Sequence, residues 1–247
     1  MYIKSNREIE IMRTAGRIVA EVLEKLKEVI QPGITTKEIN KLAEEYIRKN
    51  GAIPAFLGYE GYPASVCTSV NEEVVHGIPG PRVLNEGDIV GVDVGAYYEG
   101  YCGDAARTYE VGSCTDEAKR LIKVAEESFF AGIEKAYEGN RLYDISHAIQ
   151  VHVESSGFSV VRSLVGHGIG KNMHEEPQVP NYGLPHRGPR LMAGLTLAIE
   201  PMINAGKYHV KTLSDGWTVV TSDGSLSAHY ENTIVITANG PEILTKL

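Results

Sequence analysis

A helix-turn-helix pattern occurs twice in this chain at an offset of 106 residues, and no other feature restricts the fold as much. At that offset Gly33 falls on Gly139, Ile39 on Ile145, Ala43 on Ile149, Ile47 on Val153 and Gly51 on Gly157. Only the glycines and the isoleucine pair are identities, so the signal lies in the phase. In the first copy Ile9, Met12, Ala15, Val19, Val22, Leu23, Leu26, Val29 and Ile30 recur at three- and four-residue steps, which predicts a long helix over 6–30 with one apolar face. Gln31-Pro32-Gly33 ends it. A shorter helix follows, with Thr35 or Thr36 as N-cap, Ile39, Leu42, Ala43, Tyr46 and Ile47 on one face and Asn50-Gly51 as its stop. The second copy predicts helices over 116–138 and 143–156 around a turn at Gly139-Asn140.

After each helix pair come segments rich in valine, isoleucine and tyrosine, punctuated by turn dipeptides, which read as strands over 89–96, 101–109, 195–200, 217–221 and 228–236. Helix-helix-strands, twice over, implies an α+β fold of two related halves, helices outside and a curved antiparallel sheet inside. Such a duplication leaves a cleft along the pseudo-twofold axis. With 247 residues and no linker, the chain is expected to be one domain over 1–247, its halves about 1–114 and 115–247.

Net charge is −8 with basic residues scattered, which argues against a nucleic-acid substrate. No apolar run approaches the ~20 residues that span a bilayer, and the first twenty residues lack a signal-peptide pattern, so a cytoplasmic protein without membrane partners is expected. Cys67, Cys102 and Cys114 form no CxxC pair and read as buried structural thiols.

The chemistry lies in acids surrounded by apolar residues. A hairpin turning at Glu99-Gly100 sets Asp104 opposite Gly95, and Asp93, two residues along, then points to the same face. Glu200 in LTLAIEPMI and Glu231 in AHYENTIVI repeat the pattern in the second half. Buried carboxylates are costly unless a cation compensates them. One alone is ordinarily a solvated strand face; two from each half suggest a shared cation site on the axis. Three histidines stand in glycine- or proline-rich surroundings: His76 in VVHGIPG, His167 between Gly166 and Gly168, and His174 in NMHEEP.

Four carboxylates and one neutral imidazole balance two divalent cations, a dinuclear arrangement with metals ~3.5–4 Å apart that lowers the pKa of a shared water. The oxygen-rich donor set favours Mn, Fe or Co over a single Zn with nitrogen or sulfur ligands. Other motifs fail. GHGIGK lacks the spacing and the Ser/Thr of a phosphate loop, His174-Glu175-Glu176-Pro177 is no HExxH, and there is no GxSxG elbow.

The ligand order Asp, Asp, His, Glu, Glu resembles the metal set of the pita-bread metallopeptidases. Flanking stretches such as GYEGYPASVCTSVNEEVVHGIP, SLVGHGIGKNMHEEPQVPNYG and TLAIEPMI are similar to the type I methionine aminopeptidases among them. The likeness covers nearly the whole chain. It implies that Asp93 chelates one metal, that His167 and Glu200 chelate the other, and that Asp104 and Glu231 bridge both, the ions being Co, Mn, Fe or Zn. It implies further that His76 contacts the scissile amide nitrogen, that His174 steadies the tetrahedral intermediate, and that Glu200 shuttles a proton. A methionine pocket would be formed by Phe56, Tyr59, Tyr62, Cys67, Met173 and Trp217. A monovalent cation, Na or K, would lie near Asn71 and Ser227. Relatives often carry cysteine where this chain has Phe56, and histidine where it has Glu60, which alters the pocket and the charge at its mouth. The substrate implied is the N-terminus of a peptide or nascent chain, cut where the second residue is small, by a monomer working near the ribosome. The lack of a helical insertion between His174 and Glu200 points away from type II enzymes. Two other readings compete: an Xaa-Pro aminopeptidase or prolidase of the same fold, and a non-catalytic binding protein.

Overall fold

A computed structural model describes all 247 residues. Each half begins with its helix pair: α1 (Asn6–Val29) and α2 (Thr36–Lys49) in the first, α3 (Asp116–Ile133) and α4 (Leu142–Ser155) in the second. The bounds of α2 and α4 differ by the offset of 106 that the sequence displays. Capping boxes start the first pair: the Ser5 hydroxyl accepts from the Glu8 N–H and the Thr35 hydroxyl from the Glu38 N–H, while each glutamate side chain reaches back to the cap. Thr35, not Thr36, is thus the cap of α2. On its apolar face Ile39, Ala43 and Ile47 are buried, whereas Leu42 faces solvent. Helix α3 stops at Ile133, five residues before the expected end; the remaining residues form a turn whose Ala136 still reaches the core.

Strands of the first half are β1 (Ile53–Pro54), β2 (Cys67–Val70), β3 (Glu73–Val75), β4 (Ile89–Tyr98) and β5 (Tyr101–Glu110). Those of the second are β6 (Ser159–Val160), β7 (Gly166–Gly168), β8 (Glu175–Val179), β9 (Thr196–Ile199), β10 (Met202–Asn204), β11 (Val210–Thr212), β12 (Val219–Thr221), β13 (Ser227–His229), β14 (Asn232–Thr237) and β15 (Gly240–Ile243). Where one curved sheet was expected, the strands form four smaller sheets, all with antiparallel pairing. One contains β1, β4, β2 and β5; one runs β15-β14-β9-β7-β8; two have three strands, β13-β10-β6 and β11-β12-β3.

Helices α1 and α2 cover the β4/β5 sheet through a core that includes Ile18, Leu26, Ile39, Val92 and Ala105; α3 and α4 cover β9 and β14 through Leu121, Phe129, Ile145, Leu197 and Ile234. A third cluster draws on both halves, joining Met12, Phe56, Tyr62 and Cys67 to Ile169, Met173 and Val235. The halves are also stitched by backbone: the N–H of Glu231 donates to the Ala106 carbonyl (3.0 Å) and that of Ala106 donates back (3.3 Å). No helix is long and apolar enough to cross a membrane.

Candidate metal centre and its cavity

The hairpin forms in the register that alternation demands. Gly95 faces Asp104 across β4 and β5, and Asp93 pairs with Ala106, which sets both aspartates on one face. The glutamates sit differently from the expectation of acids within strands. Glu200 lies just past β9, ahead of Pro201, and Glu231 lies between β13 and β14. At both places the chain leaves one sheet for another: β9 and β14 belong to the five-stranded sheet, β10 and β13 to a three-stranded one. Pairing of Asn232 with Ile199 and of Met202 with His229 brackets the two glutamates, so they face each other across that seam.

His167 lies in strand β7. Its flanking glycines are required by contact: a Cβ on Gly166 would come 2.4 Å from the Ala198 carbonyl oxygen, and one on Gly168 2.5 Å from that of Glu176. The His167 Nδ1–H donates to the Gly168 carbonyl at 2.9 Å. That bond fixes the tautomer and leaves the Nε2 lone pair facing inward, 3.5 Å from Glu200 Oε1. Burial pushes the His167 pKa down to about 3, so the ring is neutral, as a metal ligand must be.

The acids show the opposite strain. Burial raises Asp93 to about 7 and carries Asp104, Glu200 and Glu231 well above the usual carboxylate range. Repulsion adds to burial: Glu231 and Asp93 act on Asp104, and Asp93 and Asp104 act on Glu200. Asp93 Oδ1, Asp104 Oδ1 and Glu231 Oε1 are buried without a hydrogen-bond partner. Ligand atoms of Asp104, His167 and Glu231 lie within 4.8 Å of one another, as do those of Asp93, His229 and Glu231. Unpartnered acceptors, mutual repulsion and a fixed neutral imidazole are what a divalent cation resolves, so the donor set fits a dinuclear metal centre.

Above these groups is a cavity of about 140 Å³. Every pocket residue expected from the sequence lines it: Phe56, Tyr59, Tyr62, Cys67, Met173 and Trp217, with His76 and His174 beside the acids. Trp217 meets Tyr62 edge-on, centroids 5.1 Å apart, and the Tyr62 hydroxyl donates to the Gly77 carbonyl at 2.9 Å. Tyr59 Oη and His174 Nδ1 are 2.7 Å apart, and the His174 ring stands edge-on to His167 at 4.4 Å. Burial lowers the pKa of His174 and raises that of Tyr59, so the phenol donates and the neutral imidazole accepts. His76, at the end of β3, is held at φ 60°, and Glu60, also on the cavity wall, at φ 49°. Backbone conformations of this kind cost about 1–3 kcal/mol each and persist only where the surrounding structure enforces them.

The loop bearing His174 is pinned from a distance. Lys4 Nζ forms a buried 2.5 Å ion pair with Glu175, and the Cys102 N–H donates to the Gly170 carbonyl at 2.8 Å. Asn71 and Ser227 are also brought together, the Ser227 N–H donating to the Asn71 carbonyl at 2.9 Å, but neither lines the cavity. All three cysteines are free and buried, with thiol pKa values raised by burial. One residue escaped the sequence reading. His229 is buried with Nε2 3.7 Å from Glu200 Oε2 and 3.8 Å from Glu231 Oε2. Its signal was the two-residue step back from Glu231.

Comparison with known proteins bears on the family and the fold. The sequence model of metallopeptidase family M24 matches residues 10–238. The methionine aminopeptidase of Clostridium acetobutylicum is 62% identical over 98% of both chains. The crystal structure of the Thermotoga maritima methionine aminopeptidase superposes with a TM-score of 0.99 at 51% identity, each chain fully covered. Prolidase from Pyrococcus furiosus is more distant, with TM-score 0.78 and 25% identity, this chain matching 65% of its length. The architecture is the pita-bread fold expected from the sequence.

Proposed function

The chain belongs to metallopeptidase family M24, and we propose that it removes the N-terminal methionine of peptides at the centre formed by Asp93, Asp104, His167, Glu200 and Glu231. The reaction class and substrate follow the relatives that span the whole chain. The observation that carries the site assignment is the convergence of four destabilised carboxylates and one neutral imidazole beneath a small sulfur- and aromatic-walled cavity. Two divalent ions there, Mn, Fe, Co or Zn, would act as Lewis acids and make water a nucleophile at neutral pH. Asp93 would serve one ion, His167 and Glu200 the other, with Asp104 and Glu231 shared.

The protein's own groups then divide the work. Glu200, its affinity for protons raised by burial and by Asp93 and Asp104, takes a proton from the attacking water and returns it to the departing amine. His174 accepts from Tyr59 at Nδ1, which leaves Nε2–H as the donor toward the tetrahedral oxyanion. His76, held in its strained backbone conformation, meets the amide nitrogen side. The cavity of about 140 Å³ is well below the ~300–1,000 Å³ of ordinary ligand pockets, which suits one unbranched side chain and an exopeptidase. Met173, Cys67 and the aromatic walls suit a thioether.

We extend the reading to one domain over 1–247, supported by the core that mixes both halves, and to a cytoplasmic monomer acting on nascent chains near the ribosome. A small second residue is preferred. The test is a panel of peptides varied at the first two positions, offered to the metal-loaded protein with each ion in turn. Release of free methionine from Met-Gly and Met-Ala peptides is expected; cleavage confined to Xaa-Pro peptides would reverse the substrate assignment.

A further inference from the structure

His229 occupies a place for which hydrogen bonding gives no account. Its Nε2 is buried and has no hydrogen-bond partner, although it points at Glu200 Oε2 (3.7 Å) and Glu231 Oε2 (3.8 Å). Those separations exceed hydrogen-bonding range. They match donor atoms arranged around one ion: two ligands each ~2.0–2.2 Å from a metal stand ~3–4 Å from one another. Ligand atoms of Asp93, His229 and Glu231 lie within 4.8 Å of each other, mirroring the cluster of Asp104, His167 and Glu231.

The backbone there has little freedom. His229 ends β13 in register with Met202, its N–H donates to Thr108 Oγ1 at 2.9 Å, and the Thr108 hydroxyl donates back to the His229 carbonyl at 2.9 Å. This two-way clamp ties the histidine to β5, the strand that carries Asp104.

We propose that His229 is a sixth protein ligand, binding with Asp93 and Glu231 the ion opposite the one that His167 serves. The inference rests on the dinuclear reading above and deepens it: each ion would have one imidazole and a share of Glu231. The two positions should then bind with similar affinity and share a preference for borderline ions such as Co(II) over harder ones.

Two measurements test this. In calorimetric titration of the metal-free full-length protein with Co(II), the wild type should take up two equivalents. H229Q, whose amide can hydrogen-bond but ligates poorly, should hold one of them at least about tenfold more weakly. Two-site binding by H229Q equal to wild type would overturn ligation by His229 while leaving the dinuclear centre standing. A wild-type protein that takes up no divalent metal would overturn both. The second measurement needs no variant. Proton NMR of the Co(II)-loaded wild type should show two hyperfine-shifted exchangeable imidazole N–H signals, from His167 and His229, and a single one would overturn the proposal.

Discussion

The floor and the wall of the cavity are built on different principles. The floor takes its acids from a ten-residue hairpin pair and from the seam between two sheets, where backbone ladders fix each carboxylate. The wall takes Phe56, Tyr59 and Tyr62 from one loop and Met173, His174 and Trp217 from two others, joined by side-chain contacts such as the Tyr59–His174 hydrogen bond. A centre that concentrates negative charge needs positions that cannot relax; a surface that selects a side chain needs shape, which loops can supply.

The largest effect that would test this division is loss of a floor carboxylate. D104N should lower kcat/KM by about a thousandfold or more, because a divalent ion contributes several kcal/mol to transition-state charge. Metal analysis should show depleted binding. A variant with full metal content would break the claim that the floor exists for metal.

Next comes the pH dependence of the metal-free protein. Asp93, raised to about 7 when folded and near 3.8 when unfolded, contributes stability that is complete below pH 3.8 and is lost as pH rises through about 7. Asp104, Glu200 and Glu231, likewise raised by burial and by one another, act in the same sense. The site's histidines act in the opposite sense: His167, lowered to about 3, loses stability as pH falls below the ordinary value of 6.5, so it does not contribute to a loss on raising the pH. Melting temperature in chelator should therefore fall as pH rises through about 7, and excess Mn(II) should abolish the fall. Equal slopes with and without metal would contradict the assignment.

Effects at the wall should be smaller and should spare the metals. H174A is expected to reduce kcat by about 10²–10³-fold, the cost of one oxyanion donor, with metal content near wild type. W217A should cost about 10- to 100-fold in kcat/KM for methionyl peptides, chiefly through KM, since it removes apolar contact that both substrate and transition state feel. Y59F should be mildest. Removing one hydrogen bond at ~1 kcal/mol gives roughly a fivefold fall in kcat. If Y59F matched H174A, Tyr59 would be catalytic in its own right and the wall would be no simple selector.

Floor and wall also differ in how far the sequence discloses them. Asp93 and Asp104 were legible because a period-two hairpin and its turn set their register, and Glu200 and Glu231 because an acid among apolar neighbours demands explanation wherever it lies. The helix pairs were legible from period and phase, which placed α2 and α4 to within a residue of their observed ends. Strands of two to five residues such as β6, β7 and β8 carry too little alternation to stand out, which is why no strand was read around His167. Wall residues converge from segments far apart, with no period linking Tyr62 to Trp217, so only family resemblance gathered them. His229 was missed although it lies two residues from Glu231: a histidine beside a tyrosine in SAHYEN has none of the energetic oddity of a buried acid.

The stitch between Ala106 and Glu231 anchors the centre to both halves of the molecule. The peptide group of Glu231 is tied to one half of the molecule while its flanking strands belong to the other, so its carboxylate cannot follow either half alone. A protease cut in the 111–115 connection would leave two fragments, one with both aspartates and one with His167 and both glutamates. The shared core and this stitch would hold the fragments together, and the ions would add a reversible rivet across the same seam.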